Sequence, residues 1–379
     1  METEQAIFRL LFDLYRHLPI RENRVTFIHL HNNKLDENNY AIQQWIERNK
    51  LNLEICHITL EEIKEEGFAS EKKMNNKARI SYLLSTSQYV FLNDFYSLFS
   101  FIKIRPEIKI YQLWHGGGAF KKFGLNVSHR QSDSSTLERV KRAHSQYEGV
   151  FVSSNEVVPI YASAFGIPSK KVHPFGLVRT DFLLEAKNKE KIISKYRFLL
   201  PIKNKKVVLF ALTYRENDRY REGIGINFNE VLENIPEEFV LFIKRHPFER
   251  GEFIIEEKQH NRVINVSEYP INELLVVADT LITDFSSVIF DFSLLEKPMI
   301  FFAPDYPEYE AMRGFYYPYE YFVPGPIVQN LPSLTKQIVN PEFSLEKIKE
   351  FNKKFHYKLD GKSTDRVAEF IFKDFLERG

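Results

Sequence analysis

The stretch YQLWHGGGAFKKFG, residues 111–124, places one histidine and three consecutive glycines behind a run typical of a β-strand. Glycine has no Cβ, so Gly116 and Gly117 allow the backbone to approach a ligand closely and to present N–H donors. At a strand end, His115 can transfer a proton near neutral pH. Lys121 adds positive charge that suits a phosphate. The stretch predicts a base beside an anion site; a plain glycine-rich turn with a surface histidine is the alternative.

A second histidine follows a strand in the other half of the chain. The stretch FIKRHPFE puts Lys244 and His246 directly after an apolar run, and Pro247 then stops the strand. Two strand-end imidazoles, one from each half, suit proton transfer and charge stabilisation in one reaction. His115 and His246 are therefore the predicted catalytic residues, and Lys244 is a predicted substrate-binding residue.

A pair of serines follows another apolar strand, in the stretch TDFSSVIFDF. The strand ends at Asp284, and Ser286 and Ser287 open a helix that we expect to run to about Glu296. Serine caps a helix start, and the N–H groups and dipole at that point also bind phosphate. Capping alone accounts for one serine. The second serine, together with Asp284 and Asp291, favours a phosphate-binding site.

Two further loops carry groups that could meet the same ligand. Thr213 and Arg215 follow an apolar strand, although a surface loop is an equally simple interpretation. Arg313 next to Gly314 offers a guanidinium fork at a flexible turn, which suits phosphate. Phe315 then either lines a substrate pocket or packs in the core.

Composition limits the classes of function. The chain has 379 residues, with 52 Lys and Arg against 51 Asp and Glu, so no global field favours nucleic acid. Cys56 is the single cysteine, which excludes an internal disulfide and favours a reducing compartment. No apolar run reaches the roughly 18 residues of a spanning helix. We expect a cytoplasmic protein, either soluble or peripheral to a membrane.

Short apolar strands alternate with helical patterns along the whole chain. This alternation predicts an α/β protein with parallel sheets and two Rossmann-like domains that face each other across a cleft, the GT-B arrangement. We expect residues 1–190 to form an acceptor domain and 191–362 a donor domain, with a helix over 363–379 crossing back to the first domain. The segment 187–206 holds eight Lys or Arg and one Glu, so it is either a solvated linker or a basic patch for an anionic surface.

The first helical pattern, residues 3–18, is amphipathic. Ile7, Leu11, Leu14 and Leu18 recur at helical spacing on one face. The face either packs on its own domain or lies in a membrane interface.

The chain resembles the CDP-glycerol glycerophosphotransferase family, which includes the wall teichoic acid primases and polymerases and relatives that build capsules. The resemblance covers roughly residues 25–370 and rests on motifs in the family's order: LWHG…KKFG, FGLVRTDFL, KRHP, TDFSSVIFDFSLLEKPMIFF and RGFYYPYE. It implies the GT-B fold. It also implies transfer of glycerol phosphate or ribitol phosphate from a CDP-alditol to a hydroxyl of a lipid-linked or polymeric cell-envelope glycan, with release of CMP.

The resemblance also implies roles for particular residues. The family's two histidines correspond to His115, the candidate general base, and His246. The family's donor site corresponds to Asp284, Ser286, Ser287, Arg313 and Gly314. No metal and no other cofactor are expected. The expected partners are the CDP-alditol, the glycan acceptor and an anionic membrane surface on the inner face of the cell membrane, without nucleic acid; assembly into a homo-oligomer is left open.

Two other classes of function share parts of this pattern. A GT-B glycosyltransferase or sugar-nucleotide epimerase has the same architecture and a diphosphate site at a helix start. A non-catalytic nucleotide-binding protein of envelope assembly would bind the donor without turning it over. The sequence leaves open glycerol or ribitol, primase or polymerase, the acceptor, and the teichoic acid or capsule pathway.

Overall fold

The computed structural model describes residues 2–30, 37–64, 71–127, 134–215, 226–245 and 255–377. The chain forms two compact units. The first unit contains 1–115, 123–181 and 357–379, and the second contains 116–122 and 182–356. The chain therefore passes from one unit to the other four times.

A six-stranded parallel sheet forms the centre of the first unit. Its strand order is β2-β1-β3-β4-β5-β6. The strands are β1 (Arg21–Ile28), β2 (Glu54–Ile58), β3 (Ser87–Leu92), β4 (Lys109–Gln112), β5 (Tyr147–Phe151) and β6 (Val172–His173).

Helices connect and cover these strands. They are α1 (Glu2–Tyr15), α2 (Glu37–Arg48), α3 (Leu60–Lys64), α4 (Glu71–Thr86), α5 (Ser134–His144), α6 (Val158–Phe165) and α7 (Asp181–Leu184), which begins at the boundary between the units. Among the residues described, no helix combines the length and the apolar character that crossing a membrane requires.

The core of the first unit depends on the C-terminal part of the chain. The helix α16 (Ser363–Leu376) buries Phe372 against Trp45 and Tyr89, with ring centroids 6.1 and 5.1 Å apart. The indole of Trp45 also donates a hydrogen bond of 3.0 Å to Asp365 of the same helix. The first unit is therefore completed by residues far away in sequence.

A second six-stranded parallel sheet forms the centre of the second unit, in the order β12-β11-β10-β7-β8-β9. If the strands of this unit are numbered 1 to 6 along the chain, from β7 to β12, their order in the sheet from β9 to β12 is 3-2-1-4-5-6. This is the doubly wound order. In that order the direction of winding reverses between the first and fourth strands, where such sheets bind ligands. The strands are β7 (Lys206–Phe210), β8 (Phe239–Ile243), β9 (Val263–Asn265), β10 (Thr280–Thr283), β11 (Met299–Phe302) and β12 (Ile327–Val328).

The described helices of the second unit pack on this sheet around an apolar core that includes Phe210, Leu241 and Ile300. They are α8 (Ala186–Leu199), α9 (Phe228–Glu233), α10 (Ile271–Val277), α11 (Val288–Ser293), α12 (Tyr306–Arg313), α13 (Tyr319–Phe322), α14 (Leu331–Val339) and α15 (Leu345–Phe355).

Two predicted boundaries differ from the structure. The predicted boundary after residue 190 lies inside α8, and the whole of this helix belongs to the second unit. Lys195 and Tyr196 of α8 both contact the Glu273 carboxylate of α10, at 2.6 and 2.8 Å, which explains the assignment. The helix predicted to reach Glu296 ends at Ser293, because Glu296 has a positive φ of 53° that a helix cannot continue.

Candidate functional site

The glycine-rich segment Gly116–Lys122, called the strap here, belongs to the second unit although its flanking residues belong to the first. A Cβ added to Gly117 would lie 2.6 Å from Cβ of Phe290, and one added to Gly118 would overlap the same ring. The sequence predicted a close approach of Gly116 and Gly117 to a ligand. For Gly117 the structure shows instead a close approach to the protein's own phenylalanine, which requires glycine for steric reasons.

The strap is attached to the segment that follows α12. Phe120 is buried and stacks on Phe315 with ring centroids 5.1 Å apart. The amide of Lys122 donates to the Gly314 carbonyl at 3.1 Å, and the Tyr316 amide donates to the Phe120 carbonyl at 3.0 Å. Backbone pairing and ring stacking together hold Lys121 at a defined place in the second unit.

His115 is the last residue of the first unit before the strap. Its Nδ1 lies 3.0 Å from the carbonyl oxygen of Asn93, which follows β3, and 3.8 Å from the carboxylate of Asp94. A carbonyl can only accept, so Nδ1 carries the hydrogen of the neutral ring and the lone pair remains on Nε2. The side chain is nearly half exposed. This tautomer is the one that a general base acting through Nε2 requires.

A buried ionic network follows the switch point of the second sheet. Arg215 and Asp284, which come after β7 and β10, are 2% and 0% exposed, and Asp305, which comes after β11, is 3% exposed. Arg215 donates to both carboxylate oxygens of Asp305 at 2.7 and 3.0 Å, and its Nη2 lies 2.9 Å from Asp284. Its guanidinium also lies over the ring of Tyr309, at 4.6 Å. The three charged groups are thereby fixed relative to one another.

This network orients the loop that follows β7. Asp284 accepts hydrogen bonds from the amides of Thr213 and Phe285 at 2.9 and 2.6 Å. Arg215 donates to the Thr213 carbonyl at 2.7 Å. The hydroxyl of Thr213 is buried and has no hydrogen-bond partner among the residues described. The loop is therefore held by its backbone, and the capacity of the buried threonine hydroxyl for a hydrogen bond is unused among the described residues.

Two cations lie beside the network. Burial lowers the pKa of Lys121 to about 8. The positive charges of Arg313 and Arg215 also lower this pKa, whereas the negative charge of Asp284 raises it. Neither Lys121 nor Arg313 makes a hydrogen bond or ion pair with any residue in the described ranges. A desolvated lysine without an ion pair is unfavourable unless an anion joins it, and Arg313 adds a second positive charge close by. The pair is therefore suited to hold a phosphate or diphosphate.

The serines at the start of α11 complete the same region. Ser287 takes the N-cap position without a capping hydrogen bond from its side chain, and Ser286 accepts only a long bond of 3.4 Å from the Val288 amide. Capping therefore uses little of the capacity of the two hydroxyls. Both side chains are half-buried, which leaves them accessible as donors to a ligand.

Four other predicted site residues have different surroundings. Lys244 donates to the Ser267 and Tyr269 carbonyls at 2.5 and 2.7 Å. Asp291 is buried inside α11, and Phe315 is buried among aromatic rings. Gly314 has a φ of 72°, which favours glycine. Their roles in substrate binding stay predictions. His246, predicted to be catalytic, lies outside the described residues.

Sequence reasoning missed the groups that orient the predicted ones. Asp305 follows β11 as Asp284 follows β10, so the strand-end rule that identified Asp284 could also have identified Asp305. Asn93 and Asp94 follow β3 in the same way. Within the described ranges, no group of three or more His, Cys, Asp or Glu side chains is arranged to hold a metal ion.

Comparison with known proteins shows that the chain is similar to teichoic acid polymerases and primases. The family model described as "CDP-Glycerol:Poly(glycerophosphate) glycerophosphotransferase" matches residues 10–373. A teichoic acid poly(ribitol-phosphate) polymerase of Bacillus spizizenii is 33% identical over 374 residues, which is 97% of this chain and 59% of the relative. A teichoic acid ribitol-phosphate primase of the same organism is 35% identical over 307 residues, 79% of this chain and 78% of the relative.

The fold also has a close structural counterpart. The wall teichoic acid polymerase TagF, solved as an H548A variant, superposes with a TM-score of 0.83 at 22% identity, covering 98% of this chain and 95% of that one. This match and the two parallel sheets confirm the predicted α/β fold of the GT-B class. The chain belongs to the CDP-glycerol:poly(glycerophosphate) glycerophosphotransferase family.

Proposed function

We propose that the protein transfers an alditol phosphate from a CDP-alditol to an acceptor hydroxyl and releases CMP. The observation that carries this proposal is the anion site of the second unit. Lys121 and Arg313 make no hydrogen bond or ion pair with the described residues, and they belong to the same unit as Ser286, Ser287 and Thr213, which follow strands at the switch point of a doubly wound sheet. Two cations and three hydroxyls match the several oxygens of a diphosphate.

The chemistry assigns a proton acceptor to the first unit. The acceptor oxygen attacks the phosphorus that carries the alditol, and the bond from that phosphorus to the bridging oxygen of CMP breaks. The hydroxyl proton passes to Nε2 of His115, whose Nδ1–H is held by Asn93. Lys121 and Arg313 neutralise the charge that develops on the phosphates. Because these side chains supply that charge, we propose that the reaction needs no metal, and chelation by EDTA should leave the rate unchanged.

The donor and the acceptor class are the next step of the proposal. The chain spans 59% of the length of the polymerase it resembles, and both relatives named above act on ribitol phosphate according to their names. These names favour CDP-ribitol over CDP-glycerol as donor, and a teichoic acid glycan as acceptor. Release of CMP from each donor, over a panel of lipid-linked acceptors, is the direct test. Turnover of a UDP-sugar without turnover of either CDP-alditol would show instead a glycosyltransferase or an epimerase.

Removing donor-site groups should weaken binding of the CDP-alditol. Each charge-assisted hydrogen bond to a phosphate contributes about 1.5–3 kcal/mol, so Arg313→Ala should raise the Kd at least about tenfold. The double variant Ser286→Ala with Ser287→Ala should have a smaller effect, because neutral hydroxyls bind more weakly. Isothermal calorimetry measures both. Unchanged affinity in both variants would show that this helix start serves only as a cap.

The pH dependence of the same titration tests the part played by Lys121. A lysine whose pKa is about 8 is charged below that pH and progressively neutral above it. Donor affinity should therefore be complete below pH 8 and fall between about pH 8 and 10, near the ordinary lysine value. In Lys121→Met the affinity should be weaker and this pH dependence should be absent. Identical pH profiles for the two proteins would contradict the role of Lys121.

We further propose that the protein associates with the inner face of the cell membrane, where lipid-linked acceptors are available. The exposed apolar residues of α1 support this: Leu10 and Leu14 are 71% and 64% exposed, whereas Phe12 is buried. Of the four residues of the predicted face, Leu14 and Leu18 are exposed, whereas Ile7 and Leu11 are half-buried.

Two lysines of the basic segment 187–206 are held by contacts within the protein. Lys206 forms an ion pair with Glu238 at 2.7 Å, and Lys205 donates to the Glu237 carbonyl at 2.7 Å. Phe198, which lies within the same segment, is 89% exposed. Binding to anionic vesicles should be salt-sensitive and should fall when residues 1–18 are deleted. If the intact protein stays in the supernatant with anionic vesicles at low salt, membrane association is wrong.

A further inference from the structure

A basic hollow lies in the first unit, at the opposite edge of the sheet from His115. Its walls come from residues 101–108, which lead into the amino end of β4, from the end of α5 and the start of β5, and from Lys171, which precedes β6. In a parallel sheet the amino ends of all strands lie on one side, and the carboxyl ends of all strands lie on the opposite side. His115 follows the carboxyl end of β4, so the hollow is separate from the proposed catalytic site.

The hollow has the size and charge of a site for a small anion. Its volume is about 520 Å³, within the range of small-molecule sites. Among the described residues, four cations line it and one carboxylate opposes them: Lys103, Arg105, Arg142, Lys171 and Glu148. Glu148 lies 3.9 Å from Lys171 and offsets that charge. The remaining three cations give the hollow a positive potential.

Backbone carbonyls that would repel an anion are already bonded. The Gln146 side chain donates to the carbonyls of Phe99 and Ile102 at 2.6 and 3.0 Å, and its own oxygen accepts from the Ile104 amide at 2.7 Å. Lys171 donates to the Tyr147 carbonyl at 2.6 Å. These three carbonyls are therefore satisfied by the protein itself.

Two cations of the hollow keep donors for a ligand. Lys103 is exposed and makes no hydrogen bond or ion pair with the described part of the chain. Arg142, also exposed, makes one long bond of 3.4 Å to the Ser100 carbonyl, which leaves most of its guanidinium fork unused. A lysine and an arginine of this kind bind phosphate well.

The hollow is connected directly to the exposed helix α1. Phe101 lines the hollow, and its carbonyl accepts a hydrogen bond of 3.2 Å from Arg9 of α1. Arg105 also lines it and donates to the Leu18 carbonyl, just beyond α1, at 3.0 Å. The exposed leucines of α1 and the cations of the hollow are therefore joined by two hydrogen bonds within one unit.

We propose that the basic hollow binds the phosphate of an anionic membrane lipid, and that it acts together with the exposed leucines of α1 to attach the first unit to the bilayer. The inference rests on the proposed membrane association. Stable attachment generally needs two signals, an apolar insertion and an electrostatic contact. α1 supplies the apolar signal. The basic hollow, which is linked to this helix and to Leu18 by hydrogen bonds, supplies the electrostatic one. The leucines favour a lipid headgroup over the phosphates of a soluble polymer.

Co-sedimentation of the full chain with vesicles tests this inference. The probes are vesicles of phosphatidylcholine alone and of phosphatidylcholine mixed with phosphatidylglycerol, at low salt. The double variant Lys103→Glu with Arg142→Glu should lower partitioning onto the anionic vesicles at least about tenfold. The matched control is Lys336→Glu with Lys349→Glu, two exposed lysines of the second unit that undergo the same change of charge. The control should change partitioning by less than about twofold.

The outcomes separate the possible failures. If the wild-type protein binds no anionic vesicle, the proposed membrane association and this inference both fail. If the wild type binds and the hollow variant binds equally well, or if the control loses as much as the hollow variant, only the inference fails. Retained vesicle binding with impaired use of a polymeric acceptor would assign the hollow to the polymer and overturn the lipid. Inorganic phosphate is added as a competitor. Phosphate binding that depends on Lys103 and Arg142, together with vesicle binding that does not, would show that the ligand is a free phosphate. The lipid assignment would then fail.

Discussion

Replacing His115 by alanine is expected to slow CMP release by about 10²–10⁴-fold, the usual contribution of a positioned acid–base group. The variant loses the only imidazole that the structure places between the end of β4 and the strap. Affinity for the CDP-alditol should be nearly unchanged, because the donor-site cations and serines belong to the second unit. Single-turnover kinetics and calorimetry on the same preparation separate the two quantities.

A second histidine of the chain provides the control. His260 is exposed, and its Nε2 lies 2.8 Å from the Ile255 carbonyl, as Nδ1 of His115 lies against Asn93. His260→Ala therefore removes an imidazole bonded to one carbonyl without removing the proposed base, and it should retain the wild-type rate. Near-normal turnover in His115→Ala would exclude the base role.

Replacing Arg215 by alanine should lower the free energy of unfolding by about 3–5 kcal/mol, the usual effect of breaking a buried ion pair by removing one partner. The variant leaves Asp284 and Asp305 as two buried carboxylates without their shared cation. Urea unfolding, followed by far-UV circular dichroism, measures the loss. Arg215→Lys should be intermediate, since an ammonium keeps the charge but not the two-pronged contact with Asp305.

A second arginine of the same region distinguishes stability from ligand binding. Arg313 makes no hydrogen bond or ion pair within the described residues, so Arg313→Ala should change the free energy of unfolding by less than about 1 kcal/mol while weakening donor binding. Arg215→Ala should thus mainly lower the free energy of unfolding, whereas Arg313→Ala should mainly weaken donor binding. Similar losses of stability in both would show that Arg215 is not the centre of a buried network.

Local sequence patterns predicted most of the residues that form the candidate site. His115, Asp284 and the two serines were identified because parallel strands bring their carboxyl ends to one edge of a sheet, so that strand-end polar residues mark that edge. The role of Arg215 was not predictable in this way. Its partner Asp305 lies 90 residues away in sequence, and only the pairing of β10 with both β7 and β11 brings the two together.

The glycines and the domain boundaries show why other predictions differed from the structure. A glycine run signals a close approach but does not say to what, and for Gly117 the approaching group is Phe290. A basic, polar stretch looks like a linker, yet α8 contains Ile192 and Tyr196, which are buried in the second unit. Both differences depend on tertiary partners that no local pattern contains.

The order of the segments along the chain constrains how the protein folds during synthesis. The strap is synthesised before the rest of the second unit. Phe120 and Gly118 therefore cannot pack until Phe315 and Phe290 have been synthesised. The core of the first unit forms still later, because Phe372 is synthesised only after the whole of the second unit. Multidomain chains generally complete their N-terminal domain first. Here the order is reversed, because the second unit is fully synthesised at residue 356, whereas the first unit still lacks the helix that carries Phe372.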